Sequence, residues 1–223
     1  MNLDSPYKSA RTRSQLLVLM LALALVPIVT VLLNMTQLLG LLVRMDSVST
    51  DAEAEAWINE MNRFGSNFPA IALRQQFAQV VAAAAWFIWQ HRFIASLLAL
   101  GLDLETTPGN SIGRWFVPVL NFFTPFQLFA RIDALLGAGT RALLRWWWGL
   151  FLIGAIGPSV YSLAIDRVDD SALGAVAATA VAVQIAFAVA AILAILVVRR
   201  LQAAADERSE QPAAPVAGWS TPR

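Results

Sequence analysis

The chain has 223 residues, of which 58% are hydrophobic and only 14% are charged, with a formal net charge of +1. Soluble domains contain about 45–50% apolar and about 25% charged residues, so this composition excludes an ordinary water-soluble domain and indicates a polytopic membrane protein. The near-zero net charge does not favour nucleic acid as a partner. The chain has no cysteine and a single histidine, which excludes thiolate and histidine-rich metal sites. No cofactor is therefore expected.

The first predicted element is a membrane span over about residues 16–39, within an uncharged stretch from Ser14 to Val43. Pro27 is expected to kink it, because the proline ring cannot accommodate the Leu23 carbonyl. A cleaved signal peptide is the rival interpretation, since cations precede the apolar run. The run is long for a signal peptide and no clear cleavage site follows, which favours an uncleaved anchor after a cytoplasmic tail over residues 1–15.

A polar loop is predicted next, from Arg44 to Phe68, and part of it is compatible with a short helix capped by Thr50 or Asp51. The second span is predicted over about residues 71–92. Beyond it, the helix is expected to continue along the cytoplasmic interface. The apolar face of that extension consists of Phe93, Ile94, Leu97 and Leu98.

Polar side chains form a stripe at the outer end of the second span. Its members are Arg74, Gln75, Gln76 and Gln79. Hydrogen bonds from Asn34 and Gln37 to this stripe would join the first two helices, and a transport pathway is the rarer use of such residues. His91 has no carboxylate at helical spacing, so a Ser-His-Asp site has no local support, and an interfacial position beside Arg92 is the simpler interpretation.

The segment over about residues 113–137 is expected to enter the cytoplasmic interface and return without crossing, because Pro118 and Pro125 break its uncharged run. Thr124 is predicted to cap an amphipathic helix that begins with Pro125 and ends at Gly137. The apolar face of this helix consists of Phe126, Phe129, Ile132, Leu135 and Leu136.

Polar residues in and around this segment have two possible roles each. Asn121 either hydrogen-bonds to the backbone that the prolines interrupt or lies in a watered interfacial position. Four arginines are candidates for contacts with anionic lipid headgroups, and the positive-inside rule also explains them. They are Arg114, Arg131, Arg141 and Arg145.

The third and fourth spans are predicted over residues 146–165 and 174–198, before a disordered cytoplasmic tail over residues 201–223. Small residues recur at every fourth position of the fourth span. This ridge consists of Gly174, Ala178, Ala182, Ala186, Ala190 and Ala194. It allows close approach of another helix, either in a homo-oligomer or, as the simpler interpretation, within this chain's own bundle.

Lysine and arginine are distributed unevenly along the chain. Twelve of the sixteen lie in the terminal tails or between the second and third spans, whereas Arg44, Arg63, Arg74 and Arg167 lie elsewhere. By the positive-inside rule, both termini are expected in the cytoplasm.

Several residues form a recognisable string between the end of the second span and the predicted amphipathic helix. They are Trp89, Arg92, Pro108, Gly109, Trp115, Pro118, Asn121, Pro125 and Phe126. With this string, the chain over about residues 70–200 resembles a bacterial family of four-span membrane proteins catalogued as domain of unknown function 4328. The resemblance implies a bacterial inner-membrane location and no known activity. An asparagine common in the family falls on Ser96 here.

Together these patterns predict an all-α polytopic membrane protein, with four transmembrane helices over residues 16–200 and an interfacial amphipathic helix after a Pro-Asn-Pro hook. The leading hypothesis is a non-enzymatic binding, scaffold or regulatory protein whose partners are membrane lipids, another copy of itself or an unidentified membrane protein. The alternative is a transporter or channel subunit that uses the polar stripe between the first two spans. A membrane enzyme has no recognisable catalytic set.

Overall fold

The computed structural model describes residues 11–45, 47–165 and 173–210, and every regular element within these ranges is helical. The all-α fold class is therefore confirmed. The elements in chain order are α1 (Arg11–Met45), α2 (Asp51–Ala99), α3 (Pro108–Gly113), a 3₁₀ turn (Arg114–Phe116), α4 (Pro118–Asn121), α5 (Thr124–Leu136), α6 (Arg141–Ile165) and α7 (Leu173–Glu210). Four of them, α1, α2, α6 and α7, are long and apolar enough to cross a membrane.

Helix α2 is one continuous helix of 49 residues. The prediction of a loop from Arg44 to Phe68 is therefore wrong from Asp51 onward, where the chain is helical. The helix begins at a capping box, in which Thr50 accepts the N–H of Glu53 and the Glu53 carboxylate accepts the N–H of Thr50. Pro69 lies inside the helix. Proline offers no N–H to the Gly65 carbonyl, so α2 lacks one backbone hydrogen bond at this point.

Helices α1 and α2 pack antiparallel, and two polar contacts hold one end of the pair. The Trp57 indole N–H donates to the Leu41 carbonyl at 2.9 Å, and Arg44 pairs with Glu60 at 2.6 Å. We call this end of the bundle the far end. The opposite end, where α1 and α6 begin and α2 and α7 finish, is called the terminal end.

Helix α7 packs against both α1 and α6. Two glycines of α6 permit the second contact, since a Cβ at Gly157 would lie 2.6 Å from Val183 and one at Gly154 would overlap the ring of Phe187. At the same depth, Gln75 of α2 donates to Gln184 of α7 at 3.2 Å, and both side chains are buried. Small residues and one amide pair thus hold the spans together.

The ridge of small residues on α7 divides into two halves. Ala186, Ala190 and Ala194 are buried, whereas Ala178 and Ala182 are exposed and Gly174 is half-buried. An α-helix advances about 400° in four residues, so a stripe with that spacing drifts by about 40° at each step and leaves the contact face. The buried apolar positions of the far half are Ala177, Ala180 and Val183, and Gln184 follows them.

Helix α7 extends past the predicted span, and the tail expected to be disordered from residue 201 is helical to Glu210. Leu201 and Ala205 are fully buried in the same apolar core as the end of α2, which explains why this part of the tail is ordered. Helix α1 begins at Arg11 rather than at residue 16. The remaining parts of the two expected tails, residues 1–10 and 211–223, lie outside the described residues.

Candidate functional site

Aromatic rings from three helices and the 3₁₀ turn meet at the terminal end, and we call this group the aromatic cluster. It consists of Trp86 and Trp89 of α2, Trp115 of the 3₁₀ turn, Phe129 of α5, and Trp147 and Trp148 of α6. The rings of Trp86 and Trp147 lie 5.2 Å apart, and Phe129 lies 5.5 Å from Trp86. The cluster therefore joins α2 to α6 through ring contacts rather than through close backbone packing.

Gln90 is the polar centre of this cluster, and its side chain is completely buried. Its Oε1 accepts the indole N–H groups of Trp86 and Trp115, at 3.0 and 3.1 Å, and its Nε2 donates to the Ser111 carbonyl at 3.0 Å. One amide thus satisfies two indoles and ties α2 to the turn and to α3. Sequence reasoning missed Gln90, although a glutamine directly after Trp89 in an apolar helix is a signal for such a role.

The chain segment 114–123, which we call the hook, lies against the aromatic cluster. The Phe116 ring lies 5.5 Å from Phe87 of α2, and the Trp148 indole donates to the Phe122 carbonyl at 3.0 Å. The outward side of the hook is apolar and exposed, with Phe116 and Val119 each 70% exposed and Phe123 60% exposed. The hook is therefore anchored on one side and presents bare apolar side chains on the other.

Hydrogen bonding in the hook differs from the expected pattern at Asn121 and Thr124. The Asn121 Oδ1 atom is buried and accepts no hydrogen bond among the described residues, so Asn121 does not bridge the interrupted backbone. The Trp148 indole instead donates to the carbonyl of Phe122, the residue that caps the end of α4. Thr124 is not the cap of α5, because its hydroxyl donates back to Leu120 at 2.8 Å and Phe123 occupies the cap position.

Helix α5 buries most of the predicted apolar face, since Phe129 and Ile132 are fully buried and Phe126 and Leu136 pack against the core. It also ends as expected at Gly137, with a φ of +66°. Leu135 is exposed, whereas Asp133 is buried and accepts the N–H and the hydroxyl of Thr140, at 2.6 and 2.7 Å. This carboxylate caps the start of α6, and Leu128, rather than Leu135, completes the buried face of α5. The helix thus packs against protein along this face.

The four candidate headgroup arginines are not equivalent. Arg131 pairs with Glu105 at 2.6 Å and with Asp103 at 3.9 Å, and the hydrogen bond to Glu105 raises the pKa of Arg131. Arg141 donates to the Ala130 carbonyl at 3.3 Å. Within the described ranges, Arg114 and Arg145 take part in no ion pair and no side-chain hydrogen bond, so these two are the cations available to a ligand.

The residues of the recognisable string separate into a buried and an exposed group. Trp89 is completely buried between Phe93 and Phe129, and its N–H has no acceptor among the described residues. Pro125 is buried and Phe126 packs against the core. By contrast, Arg92 lies on the surface and Pro118 is the exposed first residue of α4.

The polar stripe expected between the first two spans does not form a continuous surface. Gln75 points to α7, Gln76 is exposed, and the Asn34 amide donates to Thr30 of its own helix at 2.8 Å. His91 is exposed at the terminal end. Across the described residues, no cluster of three histidine, aspartate or glutamate side chains could hold a metal ion.

Comparisons with known proteins identify a family and no characterised relative. No curated protein and no solved structure matches the chain. A family model described as a domain of unknown function (DUF4328) matches residues 50–203, a range that contains α2, the hook, the aromatic cluster and most of α7. The chain therefore belongs to this family.

Proposed function

We propose that this protein is a non-enzymatic, multi-pass protein of the bacterial inner membrane with both termini in the cytoplasm. The distribution of arginine supports this orientation, because Arg92, Arg114, Arg145, Arg199 and Arg200 all lie toward the terminal end. In this orientation the aromatic cluster and the hook lie at the cytoplasmic boundary of the membrane.

The proposed activity is binding of anionic phospholipid by the hook, which makes the protein a scaffold in the cytoplasmic leaflet. The observation that carries the proposal is the exposed apolar side of the hook on an anchored backbone. Apolar side chains such as Phe116 and Val119 favour the boundary between headgroups and acyl chains over water. Because Trp148 already holds the backbone, binding requires little further ordering of the chain.

Two cations give the hook its preference for negative charge. Arg114 begins the hook, and Arg145 precedes Trp146, which is 69% exposed and of a residue type that concentrates at membrane interfaces. Each arginine near an anionic membrane surface contributes about 1 kcal/mol of attraction. The apolar side chains of the hook insert into the membrane boundary, and the two arginines select lipids with anionic headgroups.

Photo-crosslinking with two lipid probes tests this proposal. The protein is reconstituted into vesicles that contain phosphatidylglycerol or phosphatidylcholine with a diazirine in the acyl chain, and the labelled residues are mapped by mass spectrometry. We expect the anionic probe to label the hook and Trp146 more strongly than the zwitterionic probe.

The double variant Arg114→Gln and Arg145→Gln should remove the difference between the two probes. Arg131→Gln is the matched control, because that guanidinium is already paired with Glu105. Equal labelling of the hook by both probes in the unmodified protein would refute the proposal, as would a preference that survives the double variant.

A further inference from the structure

A charged side chain, Arg74, lies near the middle depth of the bundle. Its neighbour Gln75 contacts Gln184 of α7, and Gln184 lies near the centre of the uncharged run from residue 171 to residue 198. Arg74 also lines the same groove as Pro27 of α1. Pro27 is likewise near the centre of an uncharged run, from residue 14 to residue 43. The charge pattern alone predicts Arg74 at the outer end of its span, whereas α2 continues through Pro69 toward the far end.

Arg74 has no partner in the described part of the chain. It is exposed on the surface of α2 and takes part in no ion pair and no side-chain hydrogen bond. The preceding acid on its helix is Glu60, which is about 21 Å away along the axis and is paired with Arg44. A guanidinium at this depth is costly in a bilayer unless an anionic or polar group meets it.

Arg74 forms part of an open groove of about 390 Å³ between α1 and α2. One wall belongs to α1 and the other to α2, and the lining residues are Leu23, Val26, Pro27, Thr30, Ile71, Arg74 and Ala78. The groove follows the direction of the two helices and is apolar apart from two features. One is the guanidinium, and the other is the Thr30 hydroxyl, which donates to the Val26 carbonyl of its own helix at 2.9 Å.

We propose that this groove binds a membrane-spanning helix of another protein that carries an aspartate or glutamate at the same depth. Charge complementarity supports this occupant, since a carboxylate is the anionic group that a spanning helix can place at any depth. The bidentate geometry of guanidinium and carboxylate suits such a contact. This site is separate from the hook and does not depend on lipid binding there.

Two other occupants fit the groove less well. A second copy of this chain cannot supply the charge, because the sequence has no acid between Glu60 and Asp103 or within the uncharged runs of α1, α6 and α7. A lipid phosphate lies about 15 Å from the middle of the bilayer, which is half of its hydrocarbon thickness. The guanidinium would have to move toward the headgroups to meet that phosphate, whereas a carboxylate at the centre of a partner helix meets Arg74 at its own depth.

A pair of synthetic helices tests the proposal in vesicles. Each is an apolar peptide of about 20 residues, long enough to span the bilayer, with either glutamate or glutamine at its centre. The full-length protein carries one dye at Gly109→Cys, which is unambiguous because the chain has no native cysteine. Energy transfer to a dye on the peptide measures association. We expect the glutamate peptide to bind about 5- to 30-fold more tightly than the glutamine peptide.

Variants of the protein assign this preference to one side chain. Arg74→Gln should abolish it, whereas Arg63→Gln, which removes an exposed arginine from the same helix, should preserve it. Circular dichroism and size-exclusion chromatography confirm that both variants fold. Equal binding of the two peptides, or a preference that persists in Arg74→Gln, would overturn the proposal. Self-association or phosphatidylglycerol binding that depends on Arg74, without peptide selectivity, would also overturn it.

Discussion

Gln90 connects two indoles and one backbone carbonyl through a single buried side chain. Gln90→Leu would leave all three groups without partners, and each unsatisfied buried group costs about 1–3 kcal/mol. We therefore expect a large decrease in the thermal unfolding temperature, measured by intrinsic fluorescence in detergent. Gln76→Leu is the control, because Gln76 is exposed on the same helix. Equal unfolding temperatures for the two variants would show that the amide is dispensable.

Glu53 makes the start of α2 sensitive to acid. The N–H of Ser49, followed by the hydroxyl of Ser49 and the hydrogen bonds of Thr50, lowers the pKa of this carboxyl. The carboxylate therefore stabilises the folded state above the ordinary glutamate pKa, and this contribution is lost as the pH falls through the lowered pKa. A titration followed by the carbon-13 shift of the Glu53 carboxyl should have a midpoint below that of an unfolded peptide. Thr50→Val should raise the midpoint, and an unchanged midpoint would argue against the capping box.

At the scale of elements, the contact between α6 and α7 depends on the absence of a Cβ at Gly154. Gly154→Ala would push a methyl group into the Phe187 ring, and overpacking of this kind costs about 1–3 kcal/mol. We expect a lower unfolding temperature for this variant. Gly149→Ala is matched in chemistry and helix, but its Cβ would meet nothing within 4 Å, so it should be neutral or stabilising. Similar losses in both variants would exclude packing as the cause.

The two halves of the small-residue ridge on α7 should respond differently to a larger side chain. Ala190→Leu places added volume in a buried contact, whereas Ala182→Leu points away from the core. We expect only the first to destabilise the monomer in detergent. Should Ala182→Leu instead change the mass of the detergent-solubilised protein, the exposed half of the ridge would be a contact between copies.

An element can be predicted from the sequence when the residues that determine it belong to the same segment of the chain. Uncharged runs predict the spans, because the length of a run depends only on its own residues. Gly137 predicts the end of α5, because glycine readily adopts the left-handed conformation found there. The cap of α5 could not be predicted, since the Thr124 hydroxyl has a competing acceptor at Leu120. The role of Gln90 also depends on distant residues, because Trp115 reaches it only after the chain reverses between α2 and α3.

At the scale of the whole molecule, topology is the first quantity to measure. With no native cysteine, Ala52→Cys at the far end and Gly109→Cys at the terminal end can each be labelled alone. We expect a membrane-impermeant thiol reagent to modify Ala52→Cys in spheroplasts with an intact inner membrane, and to modify Gly109→Cys only after permeabilisation. Labelling of Gly109→Cys before permeabilisation would reverse the proposed orientation and move the hook to the other leaflet.

Helix α2 is about 73 Å long, more than twice the thickness of the hydrocarbon core. It begins in the contacts with α1 at the far end and carries Trp86, Trp89 and Gln90 near the other end. One uninterrupted backbone therefore joins the far end of the bundle to the terminal end, and it contains Pro69. The far-end contact at Trp57 is thus connected to the seat of the hook through a single helix, without any intervening loop.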